Sequence, residues 1–343
     1  MTARRPGPPG AGAGDGRFRP AAPGRPGLAG LRLAVTGASG FCGGHLARAA
    51  AAAGAQVVCV GRRPGPVGEH VPWDAARAVP DLAGADLVVH CAAAVGDPVP
   101  GSPAEALMHA VNVDGTARLL RAAGGRPVVW VSSASVYDPR PDRGRVREDH
   151  PVSGHLNAYG RTKAAGERLA LAAGAVVLRP RAVYGPGDPH LVPRLTARVR
   201  AGTLLLPGRD VRLSLTAVEN LTDACLSAAG WPPGAYNIAD AAAYPRDRTV
   251  REVLRAHGTP ARIRHLPRGA ALAVAGALQG VARHRPHAEP ALTRYAVDQL
   301  AHTVVLDIGK ARARGWSPRR TLGDFLAEVR AGRPVPGGTP PAG

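Results

Sequence analysis

Residues 31–36, a short run dominated by Leu, Ala and Val, pass directly into Thr36-Gly37-Ala38-Ser39-Gly40-Phe41-Cys42-Gly43-Gly44, after which residues 41–53 have helical spacing. Few folds accept that succession. Glycines three residues apart let a backbone turn tightly after a strand and approach a pyrophosphate at the N-terminus of the next helix. With 44 glycines in 343 residues the spacing alone is weak, so the strand before it and the helix after it carry the inference. The loop reads as a dinucleotide cradle using Gly37, Ser39, Gly40, Phe41, Cys42 and Gly43; a purely structural turn is the alternative.

The same alternation continues downstream. Apolar runs at residues 56–60, 86–91, 127–132 and 175–178 read as buried parallel strands, and residues 103–123 and 157–173 are long enough for crossover helices. Repeated βαβ units predict an α/β protein with a Rossmann-type doubly wound parallel sheet. Past Pro180 the alternation gives way to short segments with Pro- and Gly-rich turns, which predicts a smaller C-terminal substrate-binding lobe. The expected organisation is a disordered Arg/Gly/Pro-rich tail at 1–30, a dinucleotide-binding domain at 31–183, a mainly substrate-binding lobe at 184–333 with part of 211–240 returning to the first domain, and a flexible tail at 334–343.

Charge and cysteine usage narrow the function classes. The net charge of +19 invites a nucleic-acid reading, but arginines are spread along the chain and aromatics are only 4%, so no basic run alternates with stacking residues. No nucleic-acid partner is expected. Cys42, Cys59, Cys91 and Cys225 include no Cys-x-x-Cys pair, which fits reduced thiols better than disulfides or a zinc site, and the pair His284 and His287 has no third ligand. No metal is expected. The longest late stretch without charge, about 13 residues at 270–282, is too short to span a bilayer. It reads as a core helix, a pocket wall or a membrane-surface contact. With no apolar leader near the start, the expected compartment is the cytoplasm.

Chemistry is written most clearly at Tyr159-Gly160-Arg161-Thr162-Lys163, which puts a phenol and an ammonium on one face of a helix. Of 44 cationic residues only Lys163 and Lys310 are lysine, so Lys163 points to a need for a compact ammonium. A phenol with a pKa of about 10 exchanges protons poorly at neutral pH; a neighbouring cation and an oxidised nicotinamide favour the phenolate. Lys163 is also placed to bind the nicotinamide ribose. Where residues 127–132 leave the sheet, Ser133 is the choice for fixing the reacting oxygen, with Ser132 and Ser135 as supporting or turn residues. At the end of the second strand, where an acid would hold a ribose 2′-hydroxyl, the chain has Arg62 and Arg63, which favours NADP over NAD unless they merely reflect abundant arginine. Asp74, after a short third strand, either reaches the adenine amino group or caps a turn.

Together these motifs resemble the extended short-chain dehydrogenase/reductases of the NAD-dependent epimerase/dehydratase superfamily, over residues 31 to about 329. In that family the glycine loop, a Ser and a Tyr-x-x-x-Lys pair have the roles assigned above, and here they match Gly37, Gly40, Gly43, Ser133, Tyr159 and Lys163. His90-Cys91-Ala92-Ala93, Asn112-Val113-Asp114-Gly115-Thr116 and Arg179-Pro180-x-x-Val183-Tyr184-Gly185-Pro186-Gly187 match three further family segments, so the resemblance implies cofactor contacts at Cys91, Ala92, Ala93, Asn112, Pro180 and Val183. Residues 212–221 lack the Asp and aromatic of nucleotide-sugar enzymes. With Leu191-Val192-Pro193-Arg194-Leu195 and Leu292-Thr293-Arg294-Tyr295 they look nearer the 3β-hydroxysteroid dehydrogenase-like branch. The implied activity interconverts a secondary alcohol and a ketone on a steroid-like, polyketide-like or 3-keto acid substrate. A nucleotide-sugar epimerase or dehydratase with tightly held NAD is the alternative enzyme, and a non-catalytic redox sensor the alternative of another class. The resemblance also implies a homodimer through the helices at 103–123 and 157–173.

Overall fold

In the computed structural model, which describes residues 27–283, 290 and 292–332, the strands β1 (Arg32–Thr36), β2 (Gln56–Gly61), β3 (Glu69–Pro72), β4 (Leu87–His90), β5 (Val128–Val131) and β6 (Val176–Pro180) form one sheet with Gly234–Ile238. Every pairing in it is parallel, and the spatial order is Gly234–Ile238, β6, β5, β4, β1, β2, β3. The strand Gly234–Ile238 lies far beyond the alternating region of the sequence and pairs with β6 at the edge of the sheet.

Period-two alternation supplies both faces. Leu33, Val35, Val57, Cys59, Leu87, Val89, Val129, Val176 and Leu178 enter one apolar layer, while Ala34, Val58, Val60, Val88, Val128, Trp130 and Val177 enter the other. Helix α1 (Phe41–Ala52) fills the first layer through Leu46, Ala47 and Ala50, together with Leu221 and Ala224 of the Val218–Ser227 helix. The second layer takes Leu119 and Ala123, and Ala170 from the helix after β5. Leu28 is buried in the first layer, so order starts before residue 31 and the expected tail boundary moves back. The rest of that tail, residues 334–343 and the His284/His287 pair lie outside the described residues.

The helix expected at 103–123 is three pieces: α2 (Pro103–His109), a π-turn at Ala110–Asp114 and α3 (Gly115–Ala123). The widened turn falls where a second helix, α4 (Ala158–Ala172), crosses closely: a Cβ on Gly166 would stand 2.4 Å from the Asn112 carbonyl oxygen. Ser102 caps α2 and Asn157 caps α4, each through its side chain.

A separate apolar core, built from Tyr184, Leu204, Leu206, Leu215, Val253, Phe325 and neighbours, holds the C-terminal lobe together. Its helix Arg268–Ala282 corrects the core-helix reading: Ala271 and Ala275 pack against Val297, but Val274, Leu278 and Val281 face outward. Among the described residues no helix is long and apolar enough to cross a membrane.

Candidate active site

The sheet order reverses between β1 and β4, the point beyond whose strand carboxyl ends open α/β sheets take their ligands. Gly37 turns out of β1 with φ +69°, and a Cβ on it would stand 2.8 Å from the Ala92 backbone. A Cβ on Gly43 would stand 2.3 Å from the Gly37 carbonyl oxygen, so the helix start and the loop touch backbone to backbone. Helix α1 begins at Gly40 with no side-chain cap and no acidic residue in its first turn. Free backbone N–H groups, a first turn without an acidic residue of its own and two close backbone approaches fit a dinucleotide pyrophosphate.

Behind this cradle Thr36 locks the crossing. Its hydroxyl meets His90 Nδ1 at 2.7 Å and accepts from Ala92 N–H at 3.2 Å. His90, packed between the rings of Trp73 and Trp130, is pushed down to about 3 by burial and by Lys163, so it stays neutral and buried. Cys42, Cys91 and Cys225, far apart in the chain, come together beside the cradle as free thiols; burial pushes Cys42 up to about 12.

Arg62 and Arg63 lie exposed just past the end of β2, beside the loop. Asp74 accepts from Ala76 N–H at 3.0 Å, which is the turn-capping alternative. The Asn112 side chain is engaged within the protein. Its amide accepts from Ala94 N–H at 2.8 Å and donates to Ala94 O and to Thr162 Oγ1, both at 3.0 Å, so it braces the β4 loop against α4. Pro180 ends β6, and Val183 pairs with Thr216 beyond a left-handed turn at Ala182, φ +44°. His45 Nε2 meets Pro186 O at 2.9 Å, tying that loop to α1.

Ser133 and Tyr159 meet where β5 and α4 converge. The Ser133 hydroxyl accepts from Ser135 N–H at 3.1 Å, donates to Ser135 Oγ at 3.0 Å, and opposes by hydrogen bonding the rise in the Tyr159 pKa that burial imposes. Burial wins, and the phenol is held above its ordinary range. Lys163 donates through Nζ to Val131 O at 2.7 Å and sits 3.7 Å over the Trp130 ring, and burial lowers it to about 7. The phenol of Tyr159 is raised by burial, by Tyr295 and by Cys42, and lowered by its hydrogen bond with Ser133.

Three residues escaped sequence reasoning. Tyr295, noted only as part of a branch-like segment, places its hydroxyl 2.6 Å from Ser135 Oγ. Glu167, one turn beyond Lys163, accepts from Ser132 Oγ at 2.5 Å and pairs with Arg179. Arg181 lies buried next to the site. The only sequence signal was position: Glu167 continues the four-residue spacing from Tyr159 and Lys163, and Arg181 occupies a variable place in the 179–187 segment.

A doubly wound sheet whose reversal point carries a phosphate-shaped loop and a Ser, Tyr and Lys set defines a nicotinamide-dependent enzyme class. The chain belongs to the NAD dependent epimerase/dehydratase family, whose model matches residues 33–239. It is similar to the 2-alkyl-3-oxoalkanoate reductase of Stenotrophomonas maltophilia, 30% identical over 88% of this chain and 99% of that one. It is also similar to the decarboxylating sterol-4-alpha-carboxylate 3-dehydrogenase of Homo sapiens, 30% identical over 58% of this chain and 57% of that one. Among solved structures, MoeE5 in complex with UDP-glucuronic acid and NAD superposes with a TM-score of 0.64 at 26% identity, covering 87% of this chain and 97% of that one.

Proposed function

We propose that the chain is an NAD(P)-dependent oxidoreductase that interconverts a ketone and a secondary alcohol on a largely apolar substrate. The observation that carries this reading is the meeting of Ser133 with the half-buried phenol of Tyr159 beside the glycine cradle. A phenol held above its ordinary range keeps its proton at neutral pH, which suits a donor to a developing alkoxide. The nicotinamide, when bound in the Gly37–Gly43 cradle, supplies the two-electron redox chemistry. In reduction Tyr159 donates its proton to the carbonyl oxygen, and Ser133 turns its hydroxyl from Ser135 to hydrogen-bond that oxygen. Lys163, anchored on Val131 O, is assigned to the ribose side of the cofactor. The names of the reductase and sterol dehydrogenase relatives support ketone chemistry on lipid-like molecules.

NADP is the favoured cofactor, because Arg62 and Arg63 are exposed just past the end of β2, and arginine at that end of the second strand suits a 2′-phosphate. We also infer a homodimer through α2 and α4, where Leu107, Leu169 and Leu171 are exposed on neighbouring helices. Turnover of 2-alkyl-3-oxo acids and of 3-ketosteroids with NADPH, followed at the nicotinamide absorbance, tests the activity. Tyr159→Phe is expected to bind cofactor as the wild type does and to lose about 10²–10⁴-fold in kcat. Unchanged turnover in that variant would remove Tyr159 from the chemistry, while interconversion of nucleotide sugars without net NAD(P)H use would favour an epimerase.

A further inference from the structure

The helix Arg268–Ala282 buries only alanines, Ala271, Ala275 and Ala282, the first two against Val297. Three of its larger side chains point the other way. Val274, Leu278 and Val281 are 46%, 37% and 58% exposed, at the spacing that lays them in one row along a helix. Every exposed residue between positions 269 and 282 is Gly, Ala, Val or Leu, so no polar side chain interrupts that row. A surface helix ordinarily turns its charged residues to that side. The apolar face continues on a strand pair. Arg262–Leu266 runs parallel to Thr203–Pro207, with Arg264 opposite Leu205 and Leu266 opposite Pro207. Leu266 packs against the helix, so Arg262, Arg264 and Leu205, which share its pleat face, lie on the helix side of the ladder. Leu205 is exposed as well.

Arginine borders this face. Arg262, Arg264, Arg268, Arg283 and Arg294 are all exposed, and Arg294 reaches along the helix, 3.4 Å from where a Cβ on Gly276 would stand. Neither the helix nor the two strands carry an acid. Two acids of neighbouring helices, Asp247 beside His265 and Asp298 beside His302, are buried in ion pairs with Arg246 and Arg143. A second copy of the chain would set these arginines against their own kind. An anionic bilayer answers both parts of the face, with hydrocarbon for the row and phosphate for the guanidinium groups. We propose that the Val274, Leu278 and Val281 row, with its arginine border, docks the protein on an anionic lipid surface. The helix packs on Val297, whose own helix carries Tyr295, so the docking face lies one helix away from the site. The docking does not depend on the ketone–alcohol reading.

Co-sedimentation of the full chain with lipid vesicles tests this without turnover. Binding to phosphatidylcholine mixed with phosphatidylglycerol is expected to be at least ~10-fold tighter than to phosphatidylcholine alone, and to weaken with added salt. A net charge of +19 draws the chain to any anionic surface, so the decisive variant removes the row and keeps the charge. Val274→Ser with Leu278→Ser and Val281→Ser is expected to lose at least ~10-fold in binding to the mixed vesicles. Its urea midpoint should stay at the wild-type value, because these side chains are exposed. Arg262→Gln with Arg264→Gln should lower only the preference for the mixed vesicles. Leu278→Trp carries the test if the serine variant fails to fold: on mixed vesicles its emission should shift to the blue and be quenched by bromine-labelled lipid. Absent vesicle binding by the wild type, equal binding by the wild type and the serine variant, or unquenched Leu278→Trp would each overturn the proposal. A wild type that ignores vesicles and sediments as an oligomer that the serine variant dissolves would give the row to a second copy instead.

Discussion

At the scale of single residues, burial sets the chemistry of the site more than neighbouring charge does. Tyr159 is raised and Lys163 lowered by the same desolvation, so each tends toward its neutral form, and Lys163 spends its donor on the Val131 carbonyl. The sequence pair Tyr159 and Lys163 suggested a cation acting on a phenol, because spacing along a helix reports a shared face and says nothing of dielectric or competing acceptors. Arg62 and Arg63 are the opposite case, exposed side chains whose role depends only on where the strand ends. Replacing both with alanine is expected to weaken NADPH binding by about 10-fold or more, with NADH unaffected. Fluorescence titration of the two nucleotides checks it, and equal losses for both would assign the arginines to general attraction.

At the scale of elements, α4 holds the site because one of its faces is tied down at every turn. Thr162 receives the Asn112 amide, Lys163 reaches the end of β5, and Glu167 joins Ser132 to Arg179 of β6. Arg179 extends this network to Tyr137 at 2.9 Å, and Tyr137 to Asn237 at 2.6 Å, so the helix, three strands and the lobe junction are linked through buried polar groups. Glu167 and Arg179 are both almost fully buried. Glu167→Gln leaves the guanidinium uncompensated and is expected to destabilise the protein by about 3–5 kcal/mol, read as a lower urea midpoint. A loss under about 1 kcal/mol would mean that Tyr137 and the Glu148 carbonyl suffice to hold Arg179.

Across the whole molecule, two cores meet at the site. The sheet supplies the cradle, Ser133 and Tyr159, whereas the lobe supplies Tyr295 and, through Gln299, the placement of Arg181. Helices α2 and α4 are bridged by the Arg161–Glu105 ion pair, and each exposes a leucine, Leu107 and Leu169. If this face pairs with its copy, Leu107→Glu with Leu169→Glu should convert a dimer to a monomer in sedimentation while cofactor binding persists. A wild type that sediments as a monomer would remove the interface.

Local periodicity carried the strands, the helix faces, the glycine loop and the Tyr159/Lys163 pair, because alternation of two and spacing of four are written in consecutive residues. It also supplied Ser133, from its place just beyond a strand. The partners of those residues came only with the tertiary structure. Tyr295 meets Ser135 across 160 positions, Arg143 meets Asp298 across 155, and Gln299 holds Arg181 across 118. No period connects such pairs, since the chain path through a second lobe decides them. The same holds for Asn112, whose motif implied a ligand contact, and for three cysteines that spacing left apart and the fold brought together. Which groups lie in water and which are shut away from it is a property of packing, and here packing raises the phenol of Tyr159 and leaves the Nε–H of Arg181 without a hydrogen-bond partner among the described residues.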